Sequence, residues 1–172
     1  MNDVLRERQR QQRFTAVCEP LRADLLRFAF WLARDRALAE DVVQEAMLRA
    51  WKSLDSLDSD AKARPWMLTI VRREHARTFE RKRLEVLDVD ALVAAEADVL
   101  AAEEDAAVAE MREALFRLED DYREPLVLQV MMGFTTQEIA AHMDLTQGAV
   151  LTRLFRARQQ LRKALGGAGE EP

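Results

Sequence analysis

Residues 135–158 read TTQEIAAHMDLTQGAVLTRLFRAR, and the rest of the chain is best understood outward from this stretch. Thr135-Thr136-Gln137-Glu138 is a capping box: Thr135 caps a helix and Glu138 reaches back to it. The helix it opens carries Ile139, Ala140 and Met143. A short turn at Asp144-Leu145 follows, and Thr146 caps a final long helix that runs to about Leu165, ahead of Gly166-Gly167. At about 100° per residue, Val150, Leu154, Ala157, Leu161 and Leu165 share one arc, while Ala149, Thr152, Arg153, Arg156 and Lys163 lie opposite. A short helix, a tight turn and a long helix with one basic side form a helix-turn-helix. No acid occurs between Leu145 and Gly169. Small residues and Thr at the start of the long helix allow close approach to base edges, and Arg offers bidentate donors. The same residues would also make a solvated basic face on an ordinary bundle helix.

Upstream, Glu124 to Met132 is a short apolar helix ended by Gly133, and Val108, Met111, Leu115 and Leu118 form the stripe of the helix before it. These segments give a helical domain over residues 108–165. Three helices are expected in the first half. In the first, over 11–34, Phe14, Val17, Leu21, Leu25, Phe28 and Leu32 recur at steps of three and four. The second runs from about Ala37 to Ser53, with Leu38, Val42, Ala46 and Trp51 on its apolar side. A polar turn, Asp55 to Asp60, precedes the third, from near Ala63 to about Arg83, where Trp66, Ile70 and Val71 can face a core. The three can pack as a bundle over residues 11–83. Residues 84–107 alternate acids and alanines with Leu and Val, without a basic residue. They read as a linker, helical or coil, at the surface either way. The fold class is therefore all-α: two small helical domains joined by an acidic linker, the second a helix-turn-helix.

Composition narrows the function. Ala, Leu, Arg and Glu dominate, which are strong helix formers. Of five glycines, three lie in the tail, so no Gly-rich phosphate cradle can be built. Cys18 stands alone, which excludes an intrachain disulfide, fits a reducing cytoplasm, and reads as a small buried hydrophobe. With only His75 and His142 beside it, no zinc site is expected. Met1 to Arg13 lacks the apolar core of a signal peptide, and no apolar run approaches the roughly 20 residues that span a bilayer. The expectation is a cytoplasmic protein without cofactor, metal, small-molecule substrate or membrane insertion. The net charge of −5 hides an asymmetry. Residues 1–83 carry 18 basic and 13 acidic side chains, residues 84–110 none and 9, and residues 111–172 8 and 9. A basic first half suits a nucleic-acid partner, whereas the acidic stretch would be repelled by phosphates.

The third helix supplies a second basic surface. Arg72, Arg73, Arg77, Arg81, Lys82 and Arg83 line its polar side, with Lys62 and Arg64 just before. Arg73, Arg77 and Arg81 are four apart and share a face. Basic side chains can track a phosphate backbone, and Trp66 can support an unstacked base or be core. Glu74 and Glu80 could tie the arginines into surface ion pairs. Two basic surfaces on one chain suggest contact with two separated stretches of DNA.

These residues resemble the extracytoplasmic-function sigma factors, the small two-domain sigma factors of bacteria. Ala39 through Trp51 looks like their polymerase-binding helix, and Pro65 through Arg73 like the helix that engages the melted proximal promoter element. Tyr122-Arg123-Glu124, Thr136 through Ala140 and Arg153 through Arg158 look like their upstream-element reader. The resemblance spans roughly 15–165. It implies core RNA polymerase, promoter DNA and an anti-sigma factor as partners, and no catalysis in this chain. It assigns Asp41, Gln44, Glu45, Leu48 and Trp51 to the polymerase. Lys62, Arg64, Trp66, Arg72, Arg73, Arg77 and Arg81 fall to the proximal (−10) element. Thr136, Gln137, Thr146, Gln147, Ala149, Thr152, Arg153 and Arg156 fall to the upstream (−35) element. Leu151 and Phe155, an apolar pair one turn apart, mark a partner site or pack on the 124–132 helix.

The chain departs from the family pattern at several positions. Arg73 stands where Asn is usual, Arg77 where a small or acidic polar residue is frequent, and Glu119 where Pro is usual. Leu151 and Phe155 replace frequent Lys and His, and an aromatic common near Ala63 is missing. These changes bear on promoter sequence. Two rival readings are a sigma-like decoy that binds an anti-sigma factor without DNA, which would lose the basic faces, and a stand-alone helix-turn-helix regulator, which would need a dimerisation element.

Overall fold

The computed structural model describes residues 2–86 and 106–166; most of the expected linker, residues 87–105, lies outside the described residues. The described residues form α-helices and short 3-10 turns in two compact units, Met1–Glu96 and Ala97–Pro172. The helices are α1 (Asn2–Val17), α2 (Arg22–Ala33), α3 (Arg36–Lys52) and α4 (Ala63–Val86) in the first unit. The second contains α5 (Ala106–Arg117), α6 (Asp120–Val130), α7 (Thr136–Met143) and α8 (Gln147–Gly166).

The single helix expected over 11–34 is two. Pro20 has no N–H to donate and disfavours helical geometry at Glu19. The chain breaks after Val17, makes a 3-10 turn at Glu19–Leu21 and restarts as α2. Leu25, Phe28 and Leu32 of the expected stripe are buried, while Phe14 and Val17 are half-buried on a separate helix. Arg34, in left-handed conformation, ends α2, and Asp35 opens α3 by accepting the Leu38 N–H at 2.6 Å. In α3 the core face is Ala39, Val42, Val43, Ala46, Met47 and Ala50, rotated from the expected one; Leu38 and Trp51 are only half-buried. In α4 the core residues are Met67, Leu68 and Val71, with Trp66 and Ile70 half-buried at its edge. α2, α3 and α4 pack on one another around this core. α4 also runs helical to Val86, past the expected boundary at Arg83.

In the second unit α8 packs on α5, α6 and α7. α6 starts at Asp120, a turn before the expected Glu124, so Pro125 sits inside it. Asp120 and Asp121 in its first turn favour the early start through the helix dipole. Arg123 is buried and ties the α5–α6 turn. It donates to the Leu118 carbonyl at 2.7 Å and to the Asp120 carboxylate. Gly133 adopts φ +70°, which an L side chain resists, as the chain leaves α6. The Phe134 N–H then closes back on the Leu128 carbonyl at 3.0 Å. In α5 Leu115 is buried, as is Leu118 just after it, but Val108 and Met111 are exposed.

Cys18 is fully buried, and burial, followed by the charge of Glu19, raises its thiol to about 11 from an ordinary 9.0. Above pH 9 the unfolded thiol ionises first, so stability should fall as pH climbs from about 9 toward about 11. At pH 8 the native chain should resist iodoacetamide and label fully in urea. Rapid stoichiometric labelling of the native chain would put Cys18 outside the core.

Candidate functional site

In the first unit Asp41, Gln44, Glu45 and Leu48 are all exposed along α3, with Leu48 half open to solvent. Two acids beside an exposed apolar residue suit a basic, partly apolar partner. Trp51, one turn on, is half-buried under α1. The Arg10 guanidinium lies 5.3 Å from its ring centroid, and Phe14 meets the ring edge-on at 5.3 Å. Arg10 also donates to the Trp51 and Lys52 carbonyls at 2.6 and 3.2 Å, satisfying the end of α3. Arg13 donates to Asp60 and to the Leu57 carbonyl, both at 2.9 Å. α1 thus fastens the connection between α3 and α4. These contacts of Arg10 and Arg13 were not visible in the sequence, because the partners lie more than forty residues away.

Along α4, Arg73, Arg77 and Arg81 are exposed on one side, and Lys62 is exposed just before the helix. Arg72, Arg64 and Trp66 are half-buried, and the Arg64 Nε donates to Asp24 at 3.0 Å. Glu74 does pair with arginines, but as a buried carboxylate, not a surface one. It accepts from Arg77 at 2.7 Å and pairs with Arg49 of α3. The Glu74–Arg77 spacing was visible in the sequence; Arg49 and the burial were not. Phe79 is exposed next to His75.

In the second unit the capping box forms as expected. The Thr135 hydroxyl accepts from the Glu138 N–H at 3.2 Å, and the Glu138 carboxylate accepts from the Thr135 N–H at 2.8 Å. Asp144 turns in left-handed conformation, and Thr146 caps α8 by accepting the Ala149 N–H at 3.2 Å. Val150, Leu154 and Ala157 are buried; Leu161 and Leu165 are half-buried. Gln137, Thr146, Gln147, Thr152 and Arg156 are exposed, and Thr136, Ala149 and Arg153 are half-buried. The Thr152 hydroxyl donates to its own helix, at the Gly148 carbonyl. Arg153 donates to Asp121 at 3.0 Å, and Arg156 reaches the Tyr122 hydroxyl at 3.5 Å. These residues, with Ala149 and Thr152, line a shallow cleft of about 340 Å³ between α6 and α8. Asp121 escaped the sequence reading because it is brought to α8 only by packing, and Tyr122 entered it only through the family resemblance. Leu151 and Phe155 are 56% and 63% exposed, so they do not pack on α6.

Residues 18–85 match the family model Sigma-70 region 2, and residues 109–161 match Sigma-70, region 4. The ECF RNA polymerase sigma factor SigM of Bacillus subtilis is 31% identical over 150 residues, covering 85% of this chain and 90% of SigM. The chain belongs to the sigma-70 family, as an extracytoplasmic-function (ECF) sigma factor. A probable RNA polymerase sigma factor of Xanthomonas campestris, RfaY, is 34% identical over 163 residues. That alignment takes in 90% of this sigma factor but only 41% of the Xanthomonas protein's length. Among solved structures, the sigma factor RpoE of Bartonella quintana, in complex with the anti-sigma factor NepR, superposes with a TM-score of 0.75. It is 29% identical, with 91% of this chain and 96% of that one covered. Among the described residues no helix is long and apolar enough to cross a membrane, and no group of three or more His, Cys, Asp or Glu could hold a metal ion.

The burial of Glu74 carries a stability prediction. Its two arginines are about half exposed and can relax into water when the carboxylate is lost, which limits the cost. Glu74→Ala should lower the stability of the first unit by about 1.5–3 kcal/mol, the worth of hydrogen bonds to a charged group. Urea denaturation of the full chain followed by tryptophan fluorescence measures it, since Trp31, Trp51 and Trp66 all lie in that unit. An unchanged midpoint would make the triad a surface feature.

Proposed function

We propose that this sigma factor binds core RNA polymerase and directs it to promoters by contacting two DNA elements, one with each unit. The first domain, residues 11–83, docks on the polymerase through Asp41, Gln44, Glu45 and Leu48, with Trp51 holding the end of that helix in place. The same domain engages the melted −10 element through α4, where Arg73, Arg77 and Arg81 supply charge and stacking. The domain over 108–165 reads the −35 duplex, with α8 in the major groove and Thr136 and Gln137 of α7 beside it. An anti-sigma factor is a third partner, covering Leu151 and Phe155; the Bartonella relative is held by one. The protein acts in the cytoplasm, and the chemistry belongs to the polymerase.

One observation carries this reading: exposed arginines stand on α4 and on α8, in separate units of a chain that matches regions 2 and 4 in that order. Arg offers donors, charge and a stacking face but no acceptor, so α4 should draw affinity from phosphates and stacking more than from reading a base.

Run-off transcription with core polymerase tests the reading. The full chain should give discrete transcripts that core polymerase alone does not. Asp41→Lys with Glu45→Lys should abolish capture of the polymerase while leaving helicity unchanged. Normal capture by the folded double variant would place the polymerase on another surface. Arg73→Ala should weaken initiation about equally across −10 variants and make the salt slope shallower by roughly one phosphate. A loss confined to one base position would mean that Arg73 reads sequence.

A further inference from the structure

The bond between Arg153 and Asp121 joins the exposed side of α8 to the first turn of α6. The Arg153 Nη1 donates to the Asp121 Oδ1 at 3.0 Å; the arginine side chain is 26% exposed and the carboxylate 69%. An ion pair this open to water contributes under about 1 kcal/mol to folding. Asp121 favours the start of α6 through the helix dipole, but Asp120 serves that end as well, and Asp121 alone stands at the rim of a basic recognition surface, where it opposes phosphate. The geometry of the contact accounts for that place. A guanidinium has five donors in a rigid plane, and this contact uses one of them. The bond fixes a long side chain that would otherwise lose rotamer freedom on meeting DNA. It also holds the guanidinium in a cleft that Ala149 helps to line, whose methyl leaves room for a base edge. In the same cleft the Thr152 hydroxyl donates to the Gly148 carbonyl of its own helix.

We propose that Asp121 is a specificity-determining positioning residue. It buttresses Arg153 so that the remaining guanidinium donors present a bidentate pair to one purine in the upstream duplex, guanine O6 and N7 being the matching acceptors. At the same time its charge discourages Arg153 from settling on a phosphate. This rests on the reading that α8 binds duplex DNA.

The test is selection of bound duplexes from a pool with a randomised central stretch, using the full chain and following base preference at every position. Wild type should select a sequence containing a guanine whose preference disappears in Arg153→Ala. Asp121→Ala should lose about 5- to 150-fold of the preference at that same position, the discrimination a bidentate contact supplies. It should retain the preferences elsewhere and bind unselected duplex more tightly. Asp121→Asn keeps an acceptor oxygen and should retain part of the preference. Circular dichroism should be unchanged in all three variants. If Asp121→Ala tightens binding to every duplex and leaves each base preference intact, the carboxylate is only a charge and the proposal is overturned. If wild type selects a sequence but Arg153→Ala leaves all preferences in place, the buttress is overturned while duplex reading by the chain stands. If wild type selects nothing, both the proposal and the reading of α8 are overturned.

Discussion

Burial of one apolar arc fixes which way each arginine-bearing helix faces. Val150, Leu154 and Ala157 are the part of α8 that reaches the interior of its unit, where they join Leu115, Leu128 and Ile139. Removing a leucine side chain from water is worth about 1.5–3 kcal/mol, whereas the exposed Arg153–Asp121 pair contributes under about 1 kcal/mol. The hydrophobic term therefore decides the rotation of the helix, and the arginines take the side that remains. A turn of α8 by a single residue, about 100°, would carry Arg153 toward the core, where an unpaired charge is far costlier than any gain. The same holds for α4. Met67, Leu68 and Val71 are buried against α2 and α3, and Arg73, Arg77 and Arg81 are left outside.

Ion pairs act on a finer scale. Glu74 is buried beneath two half-exposed arginines and joins α3 to α4. In the proposed function those helices face the polymerase and the promoter respectively, so Glu74 keys one surface to the other. α1 acts on the same pair of helices through the last turn of α3 and the connection to α4. Arg10 and Arg13 satisfy carbonyls at the close of α3 and in the turn that follows. A connection with its backbone groups tied in this way holds the start of α4 in register with α3.

The helices and their division into two units could be read from period, caps and charge, because those signals are local. The capping box at Thr135 and Glu138, the stop at Gly133 and the Thr146 cap all involve neighbours within a few residues. What the sequence hid was of two kinds. Pro20 interrupts an otherwise good apolar stripe, and the stripe was the wrong guide there because a missing N–H outweighs periodicity. The start of α6 was misplaced the other way: its first turn, favoured by Asp120 and Asp121, precedes the expected Glu124. The second kind is long-range. Arg49 with Glu74, Arg10 with Trp51 and Asp121 with Arg153 meet only once the helices have packed. Of the candidate contact residues, those on one helix face were legible by angle, as for Asp41, Gln44, Glu45 and Leu48. Whether an arginine is already engaged by another helix, as Arg64 is by Asp24 and Arg49 by Glu74, was not.

The central claim is that one chain contacts two separate DNA elements, and only one of them as intact duplex. Permanganate and hydroxyl-radical footprinting of the chain with core polymerase on a promoter tests it most directly. The account predicts a protected upstream tract that stays double-stranded, a gap, and a downstream tract whose thymines become permanganate-reactive only when both chain and polymerase are present. One continuous duplex footprint, made by the chain without polymerase and with no reactive thymines, would contradict it.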